Sequence, residues 1–134
     1  MELFQGINWL AVLAATVAAF LLGGLWFSVL FGKQWIAALG KTKEEMGMPG
    51  PSMALSFATT FVMAAALAMI IVRMPRMSAL GAMRFGSAVG IGIVAMGMAS
   101  DFAFTNWPRK LYWIQASYHV MMVVIMSLIL GLWR

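Results

Sequence analysis

The sequence predicts an all-α integral membrane protein with four transmembrane helices in a compact bundle. The first observation is composition: 63% of the 134 residues are hydrophobic and only 10% are charged, whereas a soluble domain carries about 25% charged residues. The second is the recurrence of four apolar runs long enough to cross a bilayer. The third is the helix-breaking chemistry that separates these runs. A single domain over residues 1–134 suits this length.

The four apolar runs account for most of the chain. The predicted spans are about 8–31, 51–73, 78–104 and 109–133, and an interfacial linker occupies 32–50. The third run carries Arg84 and Asp101 toward its two ends, and from Leu111 to Trp133 the fourth contains no Asp, Glu, Lys or Arg and one histidine, His119. These runs must be helices, because unpaired backbone is too costly in hydrocarbon and the alternating pattern of a barrel is missing.

Residues that end or begin helices mark the breaks. They are Gly50-Pro51, Met74-Pro75-Arg76 and Asn106-Trp107-Pro108. Proline is well tolerated in the first turn of a helix, so Pro51 opens the second span. Ser78 is a predicted N-cap for the third span. In the linker, Lys33 to Leu39 form a short interfacial helix that ends at Gly40, and Thr42 with Glu45 has the spacing of a capping box.

Small residues at helical spacing predict close helix packing, because such residues let helices approach each other in lipid. Two stripes have this spacing, namely Ala11, Ala15, Ala19 and Gly23 in the first span and Ala82, Gly86, Gly90 and Gly97 in the third. Four residues further along the second stripe lies Asp101. An acidic side chain is costly against lipid, so we expect Asp101 on the packed side of the third span.

The alternation of four spans places the linker and the turn before the fourth span on one side, which we call the linker face. Its polar and aromatic residues are Trp26, Ser28, Lys33, Trp35, Lys41, Lys43, Asp101, Asn106, Trp107, Arg109 and Lys110. Both termini and the Arg73–Arg76 turn share the other side, the terminus face. The linker face has five basic residues and the terminus face has four, so the positive-inside rule favours neither strongly. We favour a cytoplasmic linker face, and dual topology is the alternative.

The candidate functional residues are polar or aromatic groups in or beside the spans. Asp101 is a candidate ion or proton site, or else an ion-pair partner of Arg109. On the fourth span Tyr112, Gln115 and His119 form one stripe that is either a polar path or hydrogen-bonding contact between helices. The remaining polar candidates are Tyr118, Ser28 and Asn106, and the aromatic interface candidates are Trp9, Trp26, Trp35 and Trp107.

Several functional classes are disfavoured. The chain has no cysteine, one histidine and no nucleophile or phosphate-loop motif, so we predict no enzyme, no catalytic residue and no cofactor. The 14 methionines and His119 invite a Cu(I) interpretation, but methionine also fills gaps in apolar packing, and we predict no metal site. The net charge of +5 indicates membrane lipids as partners rather than nucleic acid.

The motifs resemble a known family. They are Asn8-Trp9, Gly23-Gly24-x-Trp26-Phe27-Ser28, Phe31-Gly32-Lys33-x-Trp35, Gly40, Trp107-Pro108, Ser117-Tyr118-His119 and Gly131-x-Trp133. Together they resemble the domain-of-unknown-function family seventeen sixty-one, over nearly the whole chain. The resemblance implies a small four-span protein of the bacterial inner membrane, and it implies no activity.

Two functional hypotheses follow for this multi-pass inner-membrane protein, which we expect to be a homo-oligomer. The first is a small transporter or channel-like protein for a solute or an ion, with a polar site near residues 32–50 and 105–110. The second is a non-catalytic accessory or scaffold protein that binds lipid or a membrane partner. A water-accessible cavity that reaches Gln115 and His119 would favour the first, and a dry bundle with Trp26, Trp35 and Trp107 packed together would favour the second.

Overall fold

The computed structural model describes residues 2–40 and 49–134, and every regular element in these ranges is helical. The elements are a 3₁₀ turn at Glu2–Phe4, α1 (Trp9–Gly24) with a π-helical extension at Leu25–Leu30, α2 (Gly32–Leu39), α3 (Pro49–Ile71), α4 (Ala79–Val89), a π-helical segment at Gly90–Ala95, α5 (Met96–Thr105) and α6 (Arg109–Leu132).

Four stretches of these helices are long and apolar enough to cross a bilayer. They are Trp9–Leu30, Gly50–Ile71, Ala79–Thr105 and Arg109–Leu132. The third consists of α4, the π-helical segment and α5, which run without a break, and we call it the third span. The all-α, four-span fold class predicted from composition is therefore confirmed.

The helix ends are set by local side-chain chemistry. Ser78 is the N-cap of α4, as predicted, and its Oγ accepts a hydrogen bond of 3.1 Å from the Gly81 amide. Asn8 caps α1 in the same way. Gly40 ends α2 with a left-handed φ of 71°, a conformation that glycine adopts without a Cβ penalty. The predicted capping box at Thr42 and Glu45 lies outside the described residues.

Helix α6 is the centre of the bundle. It packs against α1, α3 and α4, and α1 also packs against α3. Half of the apolar window of α6 is buried, compared with 22% for the third span. The third span packs against α6 and presents most of its surface outward. The core lies where the inner faces of α1, α3 and α6 meet, at Val12, Ala64 and Met122 among others.

Small residues bring the backbones of neighbouring helices together at the predicted seams. Ala11, Ala15 and Ala19 are fully buried. A Cβ atom added to Gly86 would lie 2.8 Å from the Cα atom of Val124 in α6, which is shorter than the non-bonded contacts that Cβ atoms make. The two predicted stripes are thus confirmed along α1 and along the third span as far as Gly90, which is also buried.

The prediction fails beyond Gly90, and the π-helical segment explains why. Hydrogen bonds in a π-helix join residues five apart instead of four, so the buried face continues at Ala95, five residues after Gly90. Gly97 and Asp101 therefore fall on the exposed face rather than on the packed side. The expected burial of Asp101 against neighbouring helices was wrong, because the extrapolation assumed an uninterrupted α-helix.

Candidate functional site

An aromatic cluster occupies the linker face where the first span, α2 and α6 meet. Its members are Trp26, Phe27, Phe31, Trp35 and Tyr118. The ring of Phe27 lies 5.0 Å from Tyr118 and 4.9 Å from Trp35, measured between centroids. The π-helical extension at Leu25–Leu30 supplies Trp26 and Phe27 to this cluster. Tilted and edge-on contacts of this kind are the favoured arrangement of aromatic pairs.

Two hydrogen bonds connect this cluster to distant backbone. Trp26 Nε1 donates to the Ile114 carbonyl at 3.0 Å, and Tyr118 Oη donates to the Ala19 carbonyl at 3.1 Å. The Trp26 bond runs from a side chain of the first span to the backbone of α6. The Tyr118 bond runs from a side chain of α6 to the backbone of the first span. Trp35 Nε1 is buried and has no hydrogen-bond partner within residues 2–40 and 49–134. The cluster therefore packs the first span, α2 and α6 against one another.

A cleft of about 350 Å³ opens at the same end of the molecule between α5 and α6. We call it the α5–α6 cleft, and its lining residues are Ala99, Phe102, Ala103, Asn106, Trp107, Arg109 and Tyr112. Asn106 reverses the chain in the left-handed conformation, with φ 56°, so that Trp107 and Arg109 turn back toward α5. An asparagine tolerates this backbone region better than most residues.

The walls of the cleft are held by aromatic packing and one hydrogen bond. Phe102 packs edge-on against Trp107 and Tyr112, with centroid distances of 5.8 and 5.4 Å. Tyr112 Oη donates to the carbonyl of Ala95, the last residue of the π-helical segment, at 2.8 Å. The register of the π-helical segment thus positions one wall of the cleft against the other.

The chemistry of the cleft is cationic and aromatic. Arg109 lines it, and the adjacent Lys110 is also exposed. A guanidinium group can bind a phosphate or carboxylate through two parallel hydrogen bonds. Trp107, whose side chain is 48% exposed, supplies an amphipathic ring of the kind that prefers the headgroup level of a membrane. These groups suit an anionic headgroup with an apolar tail.

Asp101 lies on α5 but does not line the cleft. Its side chain is exposed, and within the described part of the chain it makes no ion pair with Arg109 or with any other base. Its carbonyl accepts a hydrogen bond of 2.9 Å from Thr105 Oγ1. The structural ion pair with Arg109 that we considered is therefore not formed within one chain.

The other sequence-predicted polar residues are dispersed. His119 Nδ1 shares a 2.8 Å hydrogen bond with the Gln115 carbonyl inside α6, so it does not connect two helices, and neither residue lines the α5–α6 cleft. Ser28 is exposed and hydrogen-bonds to the Gly24 carbonyl. Trp9 lies toward the terminus face, where its ring stacks on Phe61. The structure thus groups Asn106, Trp107, Arg109 and Tyr112 in the cleft, and Trp26, Trp35 and Tyr118 in the aromatic cluster.

The terminus face holds two arginine contacts that the sequence did not indicate. Arg134 Nη2 donates to the carbonyls of Ile71 and Met74, each at 2.7 Å, and so fastens the C-terminus to the end of α3. Arg73 Nη2 donates to the Glu2 carbonyl, also at 2.7 Å. Arginine near helix C-termini commonly binds such carbonyls, but no sequence spacing predicts which helix a terminal arginine will reach.

The fold and these sites define a small polytopic helical membrane protein with a cationic, aromatic cleft at one end. The chain belongs to the family described as "Protein of unknown function (DUF1761)", whose sequence profile matches residues 10–131. This confirms the resemblance drawn from the motifs. Comparison with curated proteins gives no match, and comparison with solved structures gives none either.

Proposed function

We propose that this chain is a non-catalytic, homo-oligomeric inner-membrane protein that binds the anionic headgroup of a membrane lipid in the α5–α6 cleft. The observation that carries the proposal is the presence of Arg109 beside Trp107 and Tyr112 in a cleft of about 350 Å³ at the end of two candidate spans. A headgroup would meet the guanidinium there.

The position of the cleft supports a lipid over a free solute. Arg109 is the first residue of α6, and the third span ends at Thr105, so a bilayer centred on these candidate spans would put the cleft at the level of the lipid phosphates. The net charge of +5 favours anionic lipids generally.

The test is lipid retention in the intact protein. Purified protein in nanodiscs that contain equal amounts of phosphatidylglycerol and phosphatidylcholine is released into a native mass spectrometer, and bound lipids are counted. We expect selective retention of phosphatidylglycerol, reduced by about fivefold in Arg109→Gln, because a charge-assisted hydrogen bond is lost. Arg76→Gln, an exposed arginine on the terminus face, is the matched control and should retain the lipid. Equal retention by both variants would contradict the proposal.

Transport is the second candidate, and it would give a role to an unusual feature of the spans. Two candidate spans contain π-helical segments, Leu25–Leu30 and Gly90–Ala95, and such segments occur frequently at functional sites. If the protein carries a solute or an ion, Asp101→Asn and His119→Ala should each change the flux in proteoliposomes. Unchanged flux in both variants, with intact oligomers, would argue against transport.

A further inference from the structure

Two opposite charges lie on the outward face of the third span. Arg84 is exposed near its beginning and Asp101 is exposed near its end. They are 17 residues apart in the sequence, or roughly 26 Å along a helix, and the hydrocarbon core is about 30 Å thick. A centred third span thus brings the two charges just inside opposite boundaries of the hydrocarbon, where an unpaired charge is costly.

Within residues 2–40 and 49–134, no side chain covers the surface between these two charges, and small residues line it. It runs through Ala88, Gly92 and Gly97, and the step of five residues from Gly92 to Gly97 crosses the π-helical segment. A Cβ atom added to Gly92 or to Gly97 would meet no atom within 4 Å. The helix contacts of the third span go to α6 on its other side. This outward face could therefore receive another helix at close range.

Charge complementarity decides the orientation of such a helix. If a second copy packed here in the parallel orientation, Arg84 would face Arg84 and Asp101 would face Asp101, and both contacts are repulsive. A twofold axis in the membrane plane near Gly92 instead sets Arg84 of each copy beside Asp101 of the other. The same axis sets Ala88 opposite Gly97, so small residues meet small residues.

We propose that the outward face of the third span binds a second copy of this chain inserted in the opposite orientation, giving an antiparallel dimer with two Arg84–Asp101 ion pairs. Both orientations must then be inserted. The charge distribution suits this, since five basic residues on the linker face oppose four on the terminus face and the orientation signal is weak. The inference rests on the homo-oligomer part of the proposed function and is independent of lipid binding in the α5–α6 cleft.

Charge reversal provides the test. Arg84→Asp gives a chain with two acids on this face, and Asp101→Arg gives a chain with two bases. Each should self-associate in liposomes at least about tenfold more weakly than the native chain, measured by fluorescence transfer between labelled copies, because every ion pair becomes a repulsion. The two single variants reconstituted together should form a mixed dimer with an affinity within about threefold of the native one. The double variant, Arg84→Asp with Asp101→Arg, should associate with itself equally well.

Recovery in the mixture also shows that each single variant folds. Mixed and double variants that associate no better than the single ones would overturn the inference. A helical circular dichroism spectrum of each single variant, compared with the native spectrum, separates this result from misfolding.

Cross-linking distinguishes failure of the antiparallel arrangement from failure of the proposed homo-oligomer. The chain has no native cysteine, so a copy with Ala88→Cys and a copy with Gly97→Cys can be mixed without background reaction. We expect the 88–97 disulfide to dominate over 88–88 and 97–97 products. Val62→Cys, which is 65% exposed on α3, is the control and should remain uncrosslinked. Predominant 88–88 products would refute the antiparallel arrangement while keeping the oligomer, and a native chain that is monomeric would refute both.

Discussion

Single atoms decide how closely the helices of this bundle approach each other. The hydrogen that Gly86 carries in place of a Cβ leaves room for the α6 backbone at Val124, and the hydroxyl of Tyr118 reaches the Ala19 carbonyl at 3.1 Å. Gly23 makes room for that hydroxyl, because a Cβ atom there would lie 2.9 Å from it. These positions contribute more to the fold than their small size or moderate polarity indicates.

Replacing Gly86 by alanine should destabilise the protein by about 1–3 kcal/mol, since the added methyl group overlaps backbone that cannot rotate away. The free energy of unfolding in mixed micelles is the measurement. Gly24→Ala is the matched control, because a Cβ atom there meets nothing within 4 Å, and it should not destabilise the protein, since alanine is the better helix former. Equal destabilisation by the two substitutions would show that close packing at Gly86 is not the cause.

Tyr118 combines packing and hydrogen bonding, and two substitutions separate them. Tyr118→Phe removes the bond to Ala19 and should cost about 0.6 kcal/mol, the mean for interhelical hydrogen bonds in a membrane protein. Tyr118→Ala also removes the ring from the aromatic cluster and should cost about 3–5 kcal/mol. The same unfolding assay reports both values. A phenylalanine variant as unstable as the alanine variant would contradict this division.

At the scale of elements, the π-helical segment Gly90–Ala95 determines which residues of the third span face α6. The sequence predicts the span up to this segment and fails after it. The helices, the Ser78 cap and the stripe through Gly86 follow from local rules of hydropathy, capping and spacing. The segment itself leaves no such pattern, because one extra residue in a uniformly apolar helix changes neither hydropathy nor capping. The outward position of Asp101 and the Tyr112–Ala95 hydrogen bond, which both follow from the segment, could therefore not be predicted from the sequence.

The candidate site shows the same division. Arg109 and Trp107 could be assigned to the linker face from span alternation alone, and they do line one cleft. The cleft itself depends on where α5 and α6 diverge, which is a property of three-dimensional packing. Trp26 and Trp35 were expected at the same membrane face as Trp107, yet they pack in the separate aromatic cluster. Sequence separation along helices does not specify which neighbours share a cluster.

Deleting one residue of the π-helical segment should be tolerated, and inserting one should not. Loss of the exposed Ile93 lets the segment relax to an α-helix with Ala95 still on the buried face. One alanine inserted after Ile93 rotates α5 by about 100° and breaks the Tyr112–Ala95 hydrogen bond. Phosphatidylglycerol retention should therefore survive the deletion and fall with the insertion. A deletion as damaging as the insertion would show that the segment does more than set register.

At the scale of the whole molecule, α6 acts as the central post against which the other spans pack. The third span is attached on one side only, and the two charges of its outward face are left without partners inside the described chain. The α5–α6 cleft and the outward face both involve this span but use different surfaces of it. The proposed lipid site and the proposed dimer interface therefore do not overlap.

Lipid binding in the cleft should weaken with salt, because its main attraction is electrostatic. Raising the ionic strength from about 0.01 to 1 M shortens the Debye length from about 30 to 3 Å. Titration of native protein in detergent with short-chain phosphatidylglycerol should show a decreasing affinity over this range. Arg109→Gln should show a weak initial affinity and a shallower dependence on salt. A salt-independent affinity of the native chain would place the binding energy in apolar contacts instead.

Both proposals require an arrangement of four spans with α2 and the α5–α6 turn on one side of the bilayer. Because the chain has no cysteine, it can be tested with two cysteines per molecule, in one variant at Gln34 and Lys110 and in another at Gln34 and Arg76. Sealed vesicles are treated with a membrane-impermeant maleimide, and adducts on each molecule are counted by intact mass. The account predicts none or two adducts in the first variant and one in the second, whichever way each copy is inserted. Single adducts on the Gln34–Lys110 variant would contradict it.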